Sequence, residues 1–198
     1  MLKPLNHPLL CPFIVTAALM IPMLSPEHWQ MLMEYQRLGV ADGELWRFIT
    51  GHLTHLGWGH LLMNLLGFWL IHQLFFRNGM PAMACISGLI LLTLTTSAGL
   101  YLFSPSIDWY RGFSGVLHGL LIWVLLRELK QHTAANALLL SLVVIKLAWE
   151  QFSGPIPGSE VIAKGRVIVD AHLYGGLGGA LLWLLETGIL KFTREVVE

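Results

Sequence analysis

Six apolar runs punctuate the chain, at residues 9–24, 59–76, 82–103, 114–126, 134–152 and 171–190. A helix needs about 20 largely apolar residues to cross about 30 Å of hydrocarbon, and five of the runs approach that length. The pattern predicts an all-α integral membrane protein with six transmembrane helices in one domain, residues 1–198. The fourth run, cut off by "RELK", is too short to cross alone. Its polar start is expected inside the membrane, in a water-accessible cavity formed by its neighbours. Between the first two runs, "EHWQMLMEYQRL" mixes aromatic and polar positions and predicts an interfacial helix, with Trp29 and Tyr35 at headgroup level. A solvated loop carrying a few aromatics is the alternative.

Composition sharpens this picture. The chain is 55% hydrophobic and 12% charged, about half the charge content of soluble domains. Formal net charge is zero, which speaks against a nucleic-acid partner and leaves the lipid bilayer as the surrounding medium. Cys11 and Cys85 fall inside apolar runs and read as small core residues rather than a disulfide or metal site. No A-x-A cleavage site follows the first run, so it reads as a membrane helix and not a removed signal. With the N-terminus in the cytoplasm, Lys3, Arg77, Arg127, Lys130, Lys191 and Arg194 lie inside. Arg37, Arg47, Arg111, Lys164 and Arg166 lie outside, a small bias of the sign expected for cytoplasmic termini.

Polar clusters open the even-numbered runs: "HLTHLGWGHLLMN", "GFSGVLHG" and "AHLYGGLGG". In an alternating six-span topology these runs share one direction, so the clusters meet in one leaflet. Ser114 is a candidate nucleophile, which needs a base within reach, and His172 is a candidate base. His60 and Asn64, at i and i+4, are donors of the kind that stabilise an oxyanion, as is the Ser114 N–H. Gly115 with Gly119, and Gly175 with Gly179, form small-xxx-small faces that let membrane helices approach closely. Singly, each feature reads as helix packing; at matching depth they read as a catalytic group. Asp170, two residues before His172, points elsewhere on a helix, so no third, orienting carboxylate is evident and a dyad is expected. His52, His55, His60, His118 and His172 raise metal binding, but there is no HExxH motif, cysteine pair or carboxylate beside them at ligand spacing. Neither a metal nor a cofactor is expected. His55 is assigned to holding its loop, Arg47 to loop backbone or lipid headgroups, and Lys146 with Glu150 to a partnered or snorkelling pair; substrate gating is the alternative for that pair.

At these residues the sequence resembles the rhomboid family of intramembrane serine proteases. "WRFIT" (residues 46–50), His60 with Asn64, "GFSG" (112–115), and Ala171, His172, Gly175 and Gly179 follow the family's motifs in order across residues 46–179. Where many rhomboids carry a tyrosine able to stack on the catalytic histidine, this chain has His118. Stacking on or orienting His172, and simple packing, are its two readings. "GFSGVLHG" is similar to the rhombosortase branch. The resemblance implies a six-helix bundle with a Ser114–His172 dyad, His60 and Asn64 at the oxyanion, and no cofactor. It further implies a multi-pass protein of the bacterial inner membrane, its active site facing the periplasm. The expected partners are membrane-anchored protein substrates, here with a Gly-Gly C-terminal sorting signal (GlyGly-CTERM). A general rhomboid protease and a non-catalytic binder of transmembrane helices are the alternatives.

Overall fold

The computed structural model describes residues 9–76, 81–129, 131 and 133–197, with side chains through residue 188. Helix α1 (Leu10–Leu24) is followed by three short helices, α2 (Glu27–Met33), α3 (Arg37–Ala41) and α4 (Arg47–Thr50). Then come α5 (Trp58–Ile71), extended by a π-helical turn over His72–Phe76, α6 (Ala82–Phe103), α7 (Ser114–Glu128), α8 (Thr133–Ser153), α9 (Ser159–Ala163) and α10 (Val169–Val197). Among the described residues, Trp58–Phe76, Ala82–Phe103 and Thr133–Ser153 are helices long and apolar enough to cross a membrane, and Leu10–Leu24 is a shorter apolar one. At about 1.5 Å per residue the 15 residues of α7 cover about 22 Å, short of a bilayer core. Of the cations used to orient the chain, Lys3, Arg77 and Lys130 lie outside the described residues, as do the side chains of Lys191 and Arg194.

Two sequence expectations need correction. The segment "EHWQMLMEYQRL" is not one interfacial helix, because α2 stops at Met33 and Tyr35–Gln36 (β1) pairs antiparallel with Trp109–Tyr110 (β2). Tyr35 is thereby fully buried rather than placed at a surface. Cys11 and Cys85 form a disulfide between the starts of α1 and α6. They are core residues as well, but two isolated thiols 74 positions apart give no sequence signal of pairing.

The connection from residue 25 to 57 is held by arginines. Arg37 donates to the carbonyls of Leu100 (2.7 Å), Tyr101 (2.9 Å), Ser104 (2.7 Å) and Ile107 (3.2 Å), gathering carbonyls at and just beyond the end of α6. Arg47, 3% exposed, donates to the carbonyls of Met31 (3.0 Å) and Glu34 (2.7 Å) and pairs with Glu44. Its sequence assignment to loop backbone holds. Arg111 bridges Glu34 (2.6 Å) and Glu27 (2.8 Å) just before α7 begins. Burial works against its charge, but the two carboxylates outweigh it and hold the guanidinium above its ordinary range.

Helices α7 and α10 form the most intimate pair. A Cβ on Gly115 would stand 2.6 Å from the Ala171 carbonyl oxygen, and one on Gly119 would meet the Gly175 carbonyl. From the other side, Cβ atoms on Gly175 and Gly179 would run into the carbonyls of Gly115 and Gly119. Backbone lies on backbone along two turns, which only glycine permits. The far ends are joined by Trp123 Nε1, which donates to Glu186 (3.1 Å), and by Arg127 to the same carboxylate (3.2 Å). Gly119→Val and Gly179→Val should each destabilise the protein in detergent by about 1–3 kcal/mol, the usual cost of overpacking. Gly188→Val, on α10 with open space around it, should leave the unfolding temperature unchanged; equal losses in all three would show that helix propensity, not the contact, is being measured.

Candidate active site

Gly112 and α7 place the first residue. Gly112 has φ of 140°, a region L side chains rarely adopt, and a Cβ there would stand 2.6 Å from the His60 ring. The chain can therefore turn tightly into α7, whose first residue is Ser114. The opposing α10 places His172, 5% exposed, so that its Nε2 lies 2.9 Å from Ser114 Oγ. On its other edge His172 Nδ1 lies 2.8 Å from Glu150 Oε2 of α8. A carboxylate only accepts, so Nδ1 carries the proton and Nε2 is free to accept from the Ser114 hydroxyl.

The expectation of a site without an orienting carboxylate is thus corrected. Glu150 is 3% exposed and comes from a largely apolar helix whose other charged residue is Lys146. Its sequence signal was the Lys146–Glu150 pair at i and i+4 inside an apolar run, which reads equally well as a surface pair. They are partnered, at 2.6 Å, but against the two histidines. Lys146 Nζ is also 2.7 Å from His118 Nε2 and 3.2 Å from His172 Nδ1. Asp170 does point away, accepting from the Ser104 hydroxyl, which in turn receives the Tyr174 hydroxyl at 2.9 Å.

His118 lies over His172, ring centroids 4.3 Å apart and planes 25° from parallel. Its Nδ1 lies 2.7 Å from the Ser114 carbonyl, and a carbonyl only accepts. His118 is accordingly the Nδ1–H tautomer, its Nε2 accepting from the Lys146 ammonium. The rings are stacked, a contact that fits both of its sequence readings.

His60 and Asn64, on α5, line the same cavity of about 190 Å³ as Ser114, His118, Lys146 and His172. The starts of the second, fourth and sixth apolar runs therefore do converge. His60 Nδ1 and Asn64 Nδ2 are buried without a hydrogen-bond partner among the described residues. Buried polar atoms are nearly always satisfied in folded proteins, so two unpaired groups beside one cavity mark a place for an acceptor from elsewhere.

Behind this row, the histidine roles differ from expectation. His52, not His55, holds the loop: its Nε2 lies 2.8 Å from Ser97 Oγ, which donates to the Phe48 carbonyl (2.7 Å), and its Nδ1 lies 3.3 Å from the Gly112 carbonyl oxygen. Among the described residues His55 has no hydrogen-bond partner for either ring nitrogen, and it meets His60 edge-on, centroids 5.0 Å apart. Ligand atoms of His118, Glu150 and His172 lie within 4.8 Å of one another, so a carboxylate does stand beside two of the histidines. Lys146 occupies the space between them.

A serine, a histidine and a carboxylate thus stand in hydrogen-bonded sequence beside one cavity of a helical protein. The Rhomboid domain family matches residues 42–187. The chain belongs to the rhomboid family, and that membership supports an intramembrane protease function acting on membrane-embedded substrates. It is similar to "Putative rhomboid protease YdcA" of Bacillus subtilis (strain 168), at 27% identity over 169 residues covering 83% of this chain and 79% of the relative.

Burial lowers the pKa of His52 to about 4, and burial together with the neighbouring His60 lowers that of His55 to about 3. Both are below an unfolded value of about 6.5, so the unfolded chain binds protons more readily. Their contribution to stability is complete above about pH 6.5 and is lost progressively as pH falls, down to about 4 for His52 and about 3 for His55. His55→Leu, which removes one such group, should shift the acid limb of thermal stability to lower pH; an unchanged limb would assign the acid sensitivity to other groups.

Proposed function

We propose that this chain is an intramembrane serine protease in which Ser114 is the nucleophile and His172 the general base. The observation that carries the reading is the 2.9 Å Ser114 Oγ–His172 Nε2 contact with Glu150 on the far edge of the imidazole. Ser114 attacks a substrate carbonyl, and its proton passes to His172 Nε2. Glu150 holds the imidazole in the tautomer that leaves Nε2 open and offsets the imidazolium that forms. His60 Nδ1, Asn64 Nδ2 and the Ser114 N–H, at a helix start where backbone donors lack intrahelical partners, receive the oxyanion. His172 then returns the proton to the leaving amine. Water, or another nucleophile, releases the acyl-enzyme. A bonded serine–histidine pair favours this over a non-catalytic binder of transmembrane helices.

In this reading the six apolar helices all span the membrane, α7 being the short one, with both termini in the cytoplasm and the cavity open toward the periplasm. The substrates are transmembrane or C-terminally anchored proteins of the bacterial inner membrane, cut near the outer leaflet. The "GFSGVLHG" string, with His118 stacked on His172, supports the rhombosortase branch and hence processing of GlyGly-CTERM proteins. Mass spectrometry of a candidate substrate before and after exposure to the enzyme tests this. A new C-terminus beside the Gly-Gly pair is expected; cleavage elsewhere would return the protein to the general rhomboid proteases.

Ser114→Ala and His172→Ala should each abolish cleavage and fluorophosphonate labelling in folded protein. The double variant should be no worse than either, because the two act as one unit. Glu150→Gln should retain the fold and lose on the order of 10⁴ in rate, as when a triad carboxylate becomes an amide. Full activity of Ser114→Ala would assign the chemistry to another nucleophile.

Asn64→Ala and His60→Ala should lower kcat more than they raise KM, by on the order of 10²–10³ for loss of one donor and less where the others compensate. Native kcat in the double variant would remove both from the oxyanion site.

A further inference from the structure

Lys146 is not needed by the chemistry above, yet its ammonium stands within hydrogen-bond reach of His118, Glu150 and His172. From Ser114 Oγ to His172 is 2.9 Å, from His172 to Glu150 2.8 Å, and from Glu150 to Lys146 2.6 Å. From Lys146 to His118 is 2.7 Å, and from His118 back to the Ser114 carbonyl 2.7 Å. These five contacts close a circuit over α7, α8 and α10. We propose that Lys146 is a positioning residue whose ammonium is the resident cation of the site, tying Glu150 and His118, and through them His172 and Ser114, into one arrangement.

Three observations carry this. The ammonium has three donors and no acceptor, and it stands against two acceptors, Glu150 Oε2 and His118 Nε2. It supplies the countercharge of a carboxylate that is 3% exposed; such a group is costly to leave unpaired. It also occupies the centre of a cluster, His118, Glu150 and His172, whose ligand atoms lie within 4.8 Å of one another. Two imidazoles and one carboxylate are a donor set that holds zinc with one position open. Lysine takes that place as a charge supplied by the chain itself, which leaves Glu150 free to receive His172 Nδ1–H. With Lys146 gone, nothing fixes the carboxylate between its two neighbours or holds His118 Nε2. The rings lose their register over Ser114, and displacements of about 1 Å at a reacting pair cost on the order of 10² in rate.

The inference rests on Ser114 being the nucleophile, and the test separates the two. Fluorophosphonate labelling of the full chain in detergent is compared for the native protein, Ser114→Ala, Lys146→Ala and Lys146→Met. Failure of the native protein to label at Ser114 would sink the protease reading. Labelling of Lys146→Ala should be slower on the order of 10²-fold and be restored in part by ethylammonium, which brings charge and donors. Tetramethylammonium, which has charge but no N–H, should not restore it. Independently of activity, Lys146→Ala and Lys146→Met should bind Co²⁺ with visible d–d absorption and Zn²⁺ stoichiometrically, whereas the native protein should bind neither at this cluster. Native labelling rates in both lysine variants would overturn the proposal. So would slow labelling that neither ethylammonium nor a metal ion affects, since that is the behaviour of a packing residue. Failure of both variants to fold would make Lys146 a folding residue and overturn it equally.

Discussion

The arrangement depends on the approach of two helix backbones. Helices α7 and α10 touch through Gly115, Gly119, Gly175 and Gly179 at distances that exclude any side chain. In a bilayer there is no hydrophobic force to drive such a pair together. Dispersion between closely fitted backbones takes its place. Ser114 stands one residue before the first of these glycines and His172 three before Gly175. The 2.9 Å contact between their side chains is therefore a consequence of helix packing. A serine and a histidine 58 positions apart become a reactive pair because the surfaces beside them are bare backbone.

The polar groups then have to be made compatible with apolar surroundings. The solution is local neutrality with hydrogen bonds closed on themselves. Lys146 and Glu150 cancel each other, and each faces one of two histidines that are fixed as Nδ1–H tautomers by what they touch. Arg111 is held between two carboxylates, Glu27 and Glu34, and Arg37 spends its donors on carbonyls at the end of α6. Helix α8 is otherwise largely exposed, and its two charged residues are what bring it to the site. Among the described residues, the buried groups without a hydrogen-bond partner include His60 Nδ1 and Asn64 Nδ2, which the proposed chemistry uses, and Tyr35 Oη and both ring nitrogens of His55, which it does not.

Much of this was legible without coordinates. The apolar periodicity located every long helix to within a few residues except at the end of α10, because insertion in lipid demands long apolar runs and leaves little else that a sequence can do. Ser114, His172, His60 and Asn64 could be singled out as candidates because polar residues are expensive inside such runs and stand out against them. The α7–α10 approach was legible in the glycine spacing, since no other residue could allow it.

What the chain could not show was partnership across segments. Cys11 with Cys85, Tyr35 beside Tyr110, and His52 on Ser97 rather than His55 on the loop are pairings between distant segments. Residue type and spacing are silent about them. Glu150 was visible as a charge in an apolar helix, but a carboxylate that orients a histidine and one that snorkels to the surface have the same local sequence. The difference lies in which face of α8 meets α7 and α10, and that is decided by how three helices pack. The sequence alone determined which residues are too polar for their surroundings; only the tertiary structure decided which of them satisfy one another, because hydrogen bonds are short and directional while the positions that share them are far apart in the chain.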